Sequence, residues 1–268
     1  MVGLLPSMVM SELSLTSTGV EINGRWLVRG ANMSLKAGCL TAFVGPNGSG
    51  KTTLLRVMAG LLNPSEGEAR FNNTNLQNHS RRELARHISF VPQDTHVSFA
   101  FTVKEIVAMG RHPHLGKFQR ETAKDREAVN AALKRADVVH LADRYVTELS
   151  GGERQRVIIA RSLATESDIM LLDEPTANLD IAHSLDVLEL CRKLVQDGKA
   201  ICIALHDINA AARYADEIVL MNDGRVYKQG SPEEVLQEES LNEVFEVCTD
   251  RTQTADGKAI FIFYRDAP

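Results

Sequence analysis

Gly45-Pro-Asn-Gly-Ser-Gly-Lys-Thr52 constrains this chain more than any other segment. It follows a short apolar run, Leu40-Thr-Ala-Phe-Val44, and opens Thr52–Leu62, whose apolar residues recur at helical spacing. Strand, glycine-rich loop and helix in that order fit G-x-x-x-x-G-K-[ST] in full. Glycines let successive backbone N–H groups turn toward one point, and the following helix adds its positive N-terminal end there. Such a loop cradles phosphates, with Lys51 reaching the β- and γ-phosphates and the Thr52 hydroxyl available to Mg2+. Taken alone, the motif implies a P-loop nucleotide-binding protein and nothing narrower.

The rest of the chain supplies a matching scaffold. Ile88-Ser-Phe-Val91, Ile169-Met-Leu-Leu172 and Ile201-Cys-Ile-Ala-Leu205 are short apolar runs of the kind buried on both faces of a parallel sheet, and Ile218-Val-Leu-Met221 is a candidate fifth strand. Helical segments between most of them predict an α/β fold with helices over a parallel sheet. Leu13-Ser-Leu-Thr, Asn32-Met-Ser-Leu and Glu68-Ala-Arg-Phe alternate apolar and polar, as half-exposed antiparallel strands do. Thr102–Leu149 lacks any such run and reads as a mostly helical insertion, with Glu121–Asp137 its clearest helix. Beyond Gly230, Pro232–Gln237 reads as helix and Ala259–Tyr264 as an apolar strand.

Two further segments carry chemistry. Ile169-Met-Leu-Leu-Asp-Glu174 ends a buried strand in two carboxylates at the sheet edge where ligands of parallel sheets bind. Asp173 suits the shell of a magnesium ion, and Glu174 suits a base that polarises attacking water. Leu149-Ser-Gly-Gly-Glu153 joins a capping-box pattern, Ser150 to Glu153, to a helix over Arg154–Ala164. Its two glycines bare backbone N–H groups at a helix N-terminus, a second anion site.

Composition narrows the field. A net charge of −5 gives no global basic field to draw the chain onto nucleic acid or anionic lipid. No apolar run reaches the roughly 18–20 residues that span a bilayer. The opening MVGLLPSMVM lacks a basic flank, so a signal peptide is not expected. Cys39, Cys191, Cys202 and Cys248 lack metal-ligand spacing; Cys39 and Cys202 lie in apolar segments and read as buried free thiols of a reducing compartment.

In order and spacing these motifs resemble the nucleotide-binding subunit of ATP-binding-cassette (ABC) transporters. Gly45–Thr52 matches the family's Walker A, Leu149–Glu153 its signature and Ile169–Glu174 its Walker B. Gln93 stands at the Q-loop, Ala177-Asn-Leu-Asp180 at the D-loop and His206 at the H-loop. Alone, Gln93, Asp180 and His206 would be a loop glutamine, a turn aspartate and a strand-end histidine. The resemblance implies a P-loop NTPase with a RecA-like core and an antiparallel β subdomain over 1–93 and 162–240. It implies an inserted helical subdomain over 94–161 and a C-terminal extension over 241–268.

It also implies roles. ATP is held by Gly45, Pro46, Asn47, Gly48, Ser49, Gly50, Lys51, Thr52 and Thr53. Ser150, Gly151, Gly152 and Asp180 act on the ATP of a partner's P-loop in a head-to-tail homodimer. Thr52, Gln93 and Asp173 attend Mg2+, while Glu174, His206 and Gln93 are catalytic. Phe101–His114, Leu205–Asp216 and Gly230–Leu236 further resemble the importers of ferric siderophores, haem and cobalamin. ATPase activity would then drive metal-chelate import through two transmembrane permease subunits, with a periplasmic or extracytoplasmic binding protein delivering cargo. The chain would sit peripherally on the cytoplasmic face of the inner (plasma) membrane and bind no nucleic acid. A soluble ABC ATPase of DNA repair or translation, or an exporter subunit, are the alternatives.

One position departs from the family. Where an aromatic residue usually stacks on adenine, alignment gives Ile22, with Val20 and Trp26 nearby. A second expectation concerns the permease, which should dock near Gln93–Leu115. Phe99, Phe101, Val103, Ile106, Val107 and Met109 are many apolar residues for one loop, and breaks at Gly110 and Pro113 would display Arg111, His112 and His114. Alternatively, these residues fill the helical subdomain's own core. His112 and His114 flank a proline and read as surface residues rather than metal ligands.

Overall fold

A computed structural model describes residues 11–94, 99–117 and 119–265. The opening ten residues and Ser98 lie outside the described residues. The chain begins with a hairpin, β1 (Leu13–Ile22) and β2 (Arg25–Leu35), then β3 (Leu40–Val44) and α1 (Lys51–Met58). There follow β4 (Glu66–Phe71), β5 (Thr74–Asn75), α2 (Arg81–His87) and β6 (Ile88–Val91). The insertion holds α3 (Val103–Ala108) and α4 (Ala123–Arg135), and leads into α5 (Gly151–Ala164). Strand and helix then alternate through β7 (Ile169–Asp173), α6 (Ile181–Gln196), β8 (Ala200–Ala204), α7 (Ile208–Tyr214) and β9 (Glu217–Asn222). The chain closes with β10 (Arg225–Gly230), α8 (Pro232–Val235), α9 (Glu238–Phe245), β11 (Cys248–Gln253) and β12 (Ala259–Tyr264).

The main sheet has the order β10-β9-β3-β8-β7-β6. All its pairings are parallel except β10 with β9, so the apolar runs lie side by side as their composition predicts, Ile218–Met221 among them. The period of two along each strand sorts the core into two clusters. Ile169 and Leu171 pack with Phe43, Leu54, Leu55 and the β1–β2–β4 sheet. Met170 and Leu172 face Val103, Ile158, Leu188 and the other helices. Burial on both faces explains why these strands carry no polar alternation. β1, β2, β4 and β5 form a separate antiparallel sheet in the order β2-β1-β4-β5.

Several bounds differ from the sequence expectation. The helix after the P-loop ends at Met58 rather than Leu62, because Gly60, Leu61 and Leu62 turn back to bond the carbonyls of Val57 and Arg56. The helix from Pro232 stops at Val235 rather than Gln237. Cys39 is half-buried rather than buried, whereas Cys191 and Cys202 are fully enclosed. β12 is tied to α7 by Asn209, whose amide exchanges hydrogen bonds with the Phe261 backbone at 2.8 and 3.1 Å.

Candidate functional site

Strand order decides where the site forms. β3, β8, β7 and β6 are neighbours in parallel, so the residues after their C-terminal ends meet at one edge. The P-loop leaves β3, His206 follows β8, Asp173 and Glu174 end and follow β7, and Gln93 follows β6. Segments from four distant parts of the chain converge there.

The P-loop is shaped by contact as well as by backbone freedom. A Cβ on Gly45 would come within 2.2 Å of the Met221 carbonyl on β9, so only glycine fits. Lys51 is 4% exposed, and its Nζ donates to the Gly45 and Pro46 carbonyls at 2.7 and 3.0 Å. Burial lowers its pKa below the usual lysine value, against the pull of Glu174 and Asp173. Ser49 Oγ is buried and finds no hydrogen-bond partner among the described residues. Gly50 provides α1 with no side-chain cap, leaving the N–H groups of its first turn open to an anion. Leu27, Asn47, Gly48, Ser49, Gly50, Lys51, Thr52, Thr53 and Glu174 line the cavity of about 180 Å³ around the loop.

The carboxylates stand opposite. Thr52 Oγ1 donates to Asp173 Oδ1 at 2.9 Å. Burial raises the Asp173 pKa, the neighbouring Glu174 adds to this, and the Thr52 hydrogen bond opposes it. Glu174 takes the left-handed conformation (φ 49°), uncommon for a residue with a side chain. Gln93 Nε2 donates to its Oε2 at 2.6 Å, and His206 Nε2 lies 2.6 Å from its Oε1. One carboxylate is thereby held between the Q-loop and H-loop side chains, while its neighbour holds the P-loop threonine. A buried lysine, an uncapped helix end, and hard oxygen donors on Thr52 and Asp173 fit a nucleotide triphosphate with a divalent cation.

Residues 28–177 match the family profile of ABC transporters. The chain is 42% identical over 209 residues to the ferric enterobactin transport ATP-binding protein FepC of Escherichia coli (strain K12), covering 78% of this chain and 77% of that protein. The chain belongs to the ABC transporter family. It is also 41% identical to the hemin import ATP-binding protein HmuV of Pseudomonas entomophila (strain L48), across 84% of this chain and 92% of the relative. Identity is 43% to the cobalamin import ATP-binding protein BtuD of Halobacterium salinarum, of whose length the chain spans 58%. Among solved structures, a chain of a transporter described as metal-chelate type, in an inward-facing conformation, superposes with a TM-score of 0.84 at 30% identity, over 96% of this chain and 98% of that one.

The D-loop adjoins this cluster, with the Ala177 N–H donating to the Glu174 carbonyl at 3.0 Å and Ala177 and Leu179 lining a cavity with Glu174 and His206. Residues 149–153 and Asp180 contribute nothing to the lining of the P-loop cavity. Ser150 caps α5 in a complete capping box: its hydroxyl accepts from the Glu153 N–H at 3.3 Å and donates to Glu153 Oε2 at 2.8 Å. The Ser150 N–H and hydroxyl hold the Glu153 carboxyl below its ordinary pKa. Asp180 caps α6 by accepting the His183 N–H at 2.8 Å. The signature glycines differ from one another: Gly151 borders open space, whereas Gly152 is buried against the His183 ring.

From the β1–β2 hairpin, Leu27 lines the P-loop cavity, while Ile22 pairs with Arg25 at the hairpin turn. Leu27 carries no aromatic or charged label and was invisible in the sequence. Arg111 is not displayed but 2% exposed, bonded to Asp125, Glu166 and the Ala164 carbonyl. Of the apolar residues after the Q-loop, Val103, Ile106 and Val107 fill the core, which leaves Phe99 and Phe101 exposed. His112 is exposed and His114 half-buried, its Nε2 2.8 Å from the Thr165 carbonyl.

Proposed function

We propose that this chain is the ATP-hydrolysing subunit that energises import of a metal chelate, such as a ferric siderophore, haem or cobalamin, through a separate transmembrane permease. The observation that carries this is the convergence of Lys51, Thr52, Asp173, Glu174, Gln93 and His206 on one sheet edge, with Glu174 gripped from both sides. The cargo class rests on the names of the FepC, HmuV and BtuD relatives.

In this mechanism residues 45–53 wrap the triphosphate, and Lys51 swings from the Gly45 and Pro46 carbonyls to the phosphates. Thr52, Asp173 and Gln93 would hold Mg2+, which when bound neutralises phosphate charge. Glu174 takes the proton of the attacking water, with His206 and Gln93 fixing its two oxygens. Ser150, Gly151, Gly152 and Asp180 serve the ATP of a second copy, so hydrolysis requires a homodimer. The exposure of Ser150, Gly151 and Asp180, and the absence of all four from the lining of their own chain's P-loop cavity, support that assignment.

Among the described residues no helix is long and apolar enough to cross a membrane. In this reading the permease subunits are other chains, and this one sits peripherally on the cytoplasmic face. Residues 94–161 act as the helical subdomain and, with the Gln93–Leu115 segment, meet the permease; an extracytoplasmic binding protein supplies cargo. Copurification with a polytopic membrane protein, and ATPase stimulation by a chelate-loaded binding protein in vesicles, test this. Failure of every iron or cobalt chelate to stimulate the complex would overturn the cargo assignment.

A further inference from the structure

The His183 side chain touches both the signature helix and the D-loop. A Cβ on Gly152 would come within 2.6 Å of His183 Cδ2 and 2.7 Å of Cγ, so the imidazole fills the space over that glycine. The other edge of the same ring faces the D-loop: His183 Nδ1 lies 2.8 Å from both Asp180 carboxylate oxygens. Bonds from the His183 N–H and ring hold the Asp180 carboxyl below its ordinary pKa.

Capping of α6 does not account for the ring. Asp180 already accepts the His183 backbone N–H, which any residue other than proline would supply. The imidazole adds two contacts, one to Asp180 and one to the first turn of α5. A second tie lies one turn further along the same two helices, where Arg156 pairs with Asp186. Ser150 follows the first turn of α5 because its capping box locks it to Glu153. Ser150 and Asp180 are thus linked through Gly152 and His183 as well as through that ion pair.

We propose that His183 is a positioning residue that holds the Asp180 carboxylate and the signature turn in fixed relation, so that both reach the partner copy as one unit. This rests on the shared-site dimer proposed above. It also gives Gly152 a second reason to be glycine, since any side chain there would drive the imidazole off and part the two segments.

The test uses the full chain, with ATPase kinetics, ATP binding and thermal melting measured together. His183→Ala should leave the Kd of ATP within about twofold of wild type while kcat falls about tenfold or more, the pattern of an interaction made only in the assembled site. His183→Gln, which keeps a flat donor, should recover most of that loss. Gly152→Ala in the His183→Ala background should cost less than Gly152→Ala in wild type, because the methyl then has room. A His183→Ala protein that turns over like wild type overturns the proposal. So does a loss that His183→Gln fails to recover although its melting temperature matches wild type, or a Gly152→Ala cost unchanged by the missing ring. A wild-type protein that neither hydrolyses ATP nor dimerises with it would instead overturn the function on which the proposal stands.

Discussion

His206 Nε2 lies 2.6 Å from Glu174 Oε1, at a carboxylate whose second oxygen accepts Gln93 Nε2 at the same distance. Glu174 therefore keeps one orientation even though its backbone sits in a left-handed conformation. His206→Ala should release one oxygen and lower kcat by about 10²-fold, with ATP affinity nearly unchanged. Steady-state kinetics beside equilibrium nucleotide binding would check this, and a kcat within twofold of wild type contradicts it.

Ser150 is absent from the lining of its own chain's P-loop cavity, which leads to a mixing experiment. Lys51→Ala and Ser150→Arg homodimers should each lack any complete site, whereas a heterodimer of the two has one. Mixing should restore part of the hydrolysis and ATP-dependent dimerisation absent from both parents. A mixture no more active than its parents would contradict a shared site.

Much of this site was legible in the sequence because its parts are local. Gly45–Thr52 fixes its own turn, and the runs ending at Val91, Leu172 and Leu205 declare strands buried on both faces. What escaped was set by distant partners. Arg111 reads as exposed because Asp125 and Glu166, which pair with it, lie 14 and 55 residues away. Leu27, which lines the P-loop cavity, sits where the β1–β2 register shifts between Val20 and Glu21, a shift that no local signal announces. Gly152 reads as a flexible helix start until α6 is laid across it.

With Leu27 on the cavity wall and Trp26 next to it, the hairpin should sense nucleotide. Trp26 is the only tryptophan, and Arg29 stacks over its ring at 5.0 Å. Its fluorescence should respond to ATP more strongly than to inorganic triphosphate, and Leu27→Ala should weaken ATP binding by about 1 kcal/mol through lost apolar contact. Equal responses to ATP and triphosphate would remove the hairpin from base recognition.

Arg111 anchors the helical segment. Arg111→Ala strips the buried Asp125 of its cation and should destabilise the protein by about 3–5 kcal/mol in denaturant melts. The Thr122 hydroxyl and N–H, then Arg111, lower the Asp125 pKa from 3.8 to about 2. Its folded value is depressed, so this stabilisation is complete above the unfolded value near 3.8 and is lost as pH falls toward about 2. Asp125→Asn should flatten the pH dependence of stability across that window; an unaltered acid profile would contradict the assignment.

One substitution decides whether Glu174 is the base of an ATPase. Glu174→Gln preserves the shape of the side chain but cannot take a proton. The variant should bind ATP as wild type does, accumulate as an ATP-bound dimer in size-exclusion chromatography, and form ADP about 10²–10⁴-fold more slowly. ADP formation by Glu174→Gln at close to the wild-type rate would contradict the account.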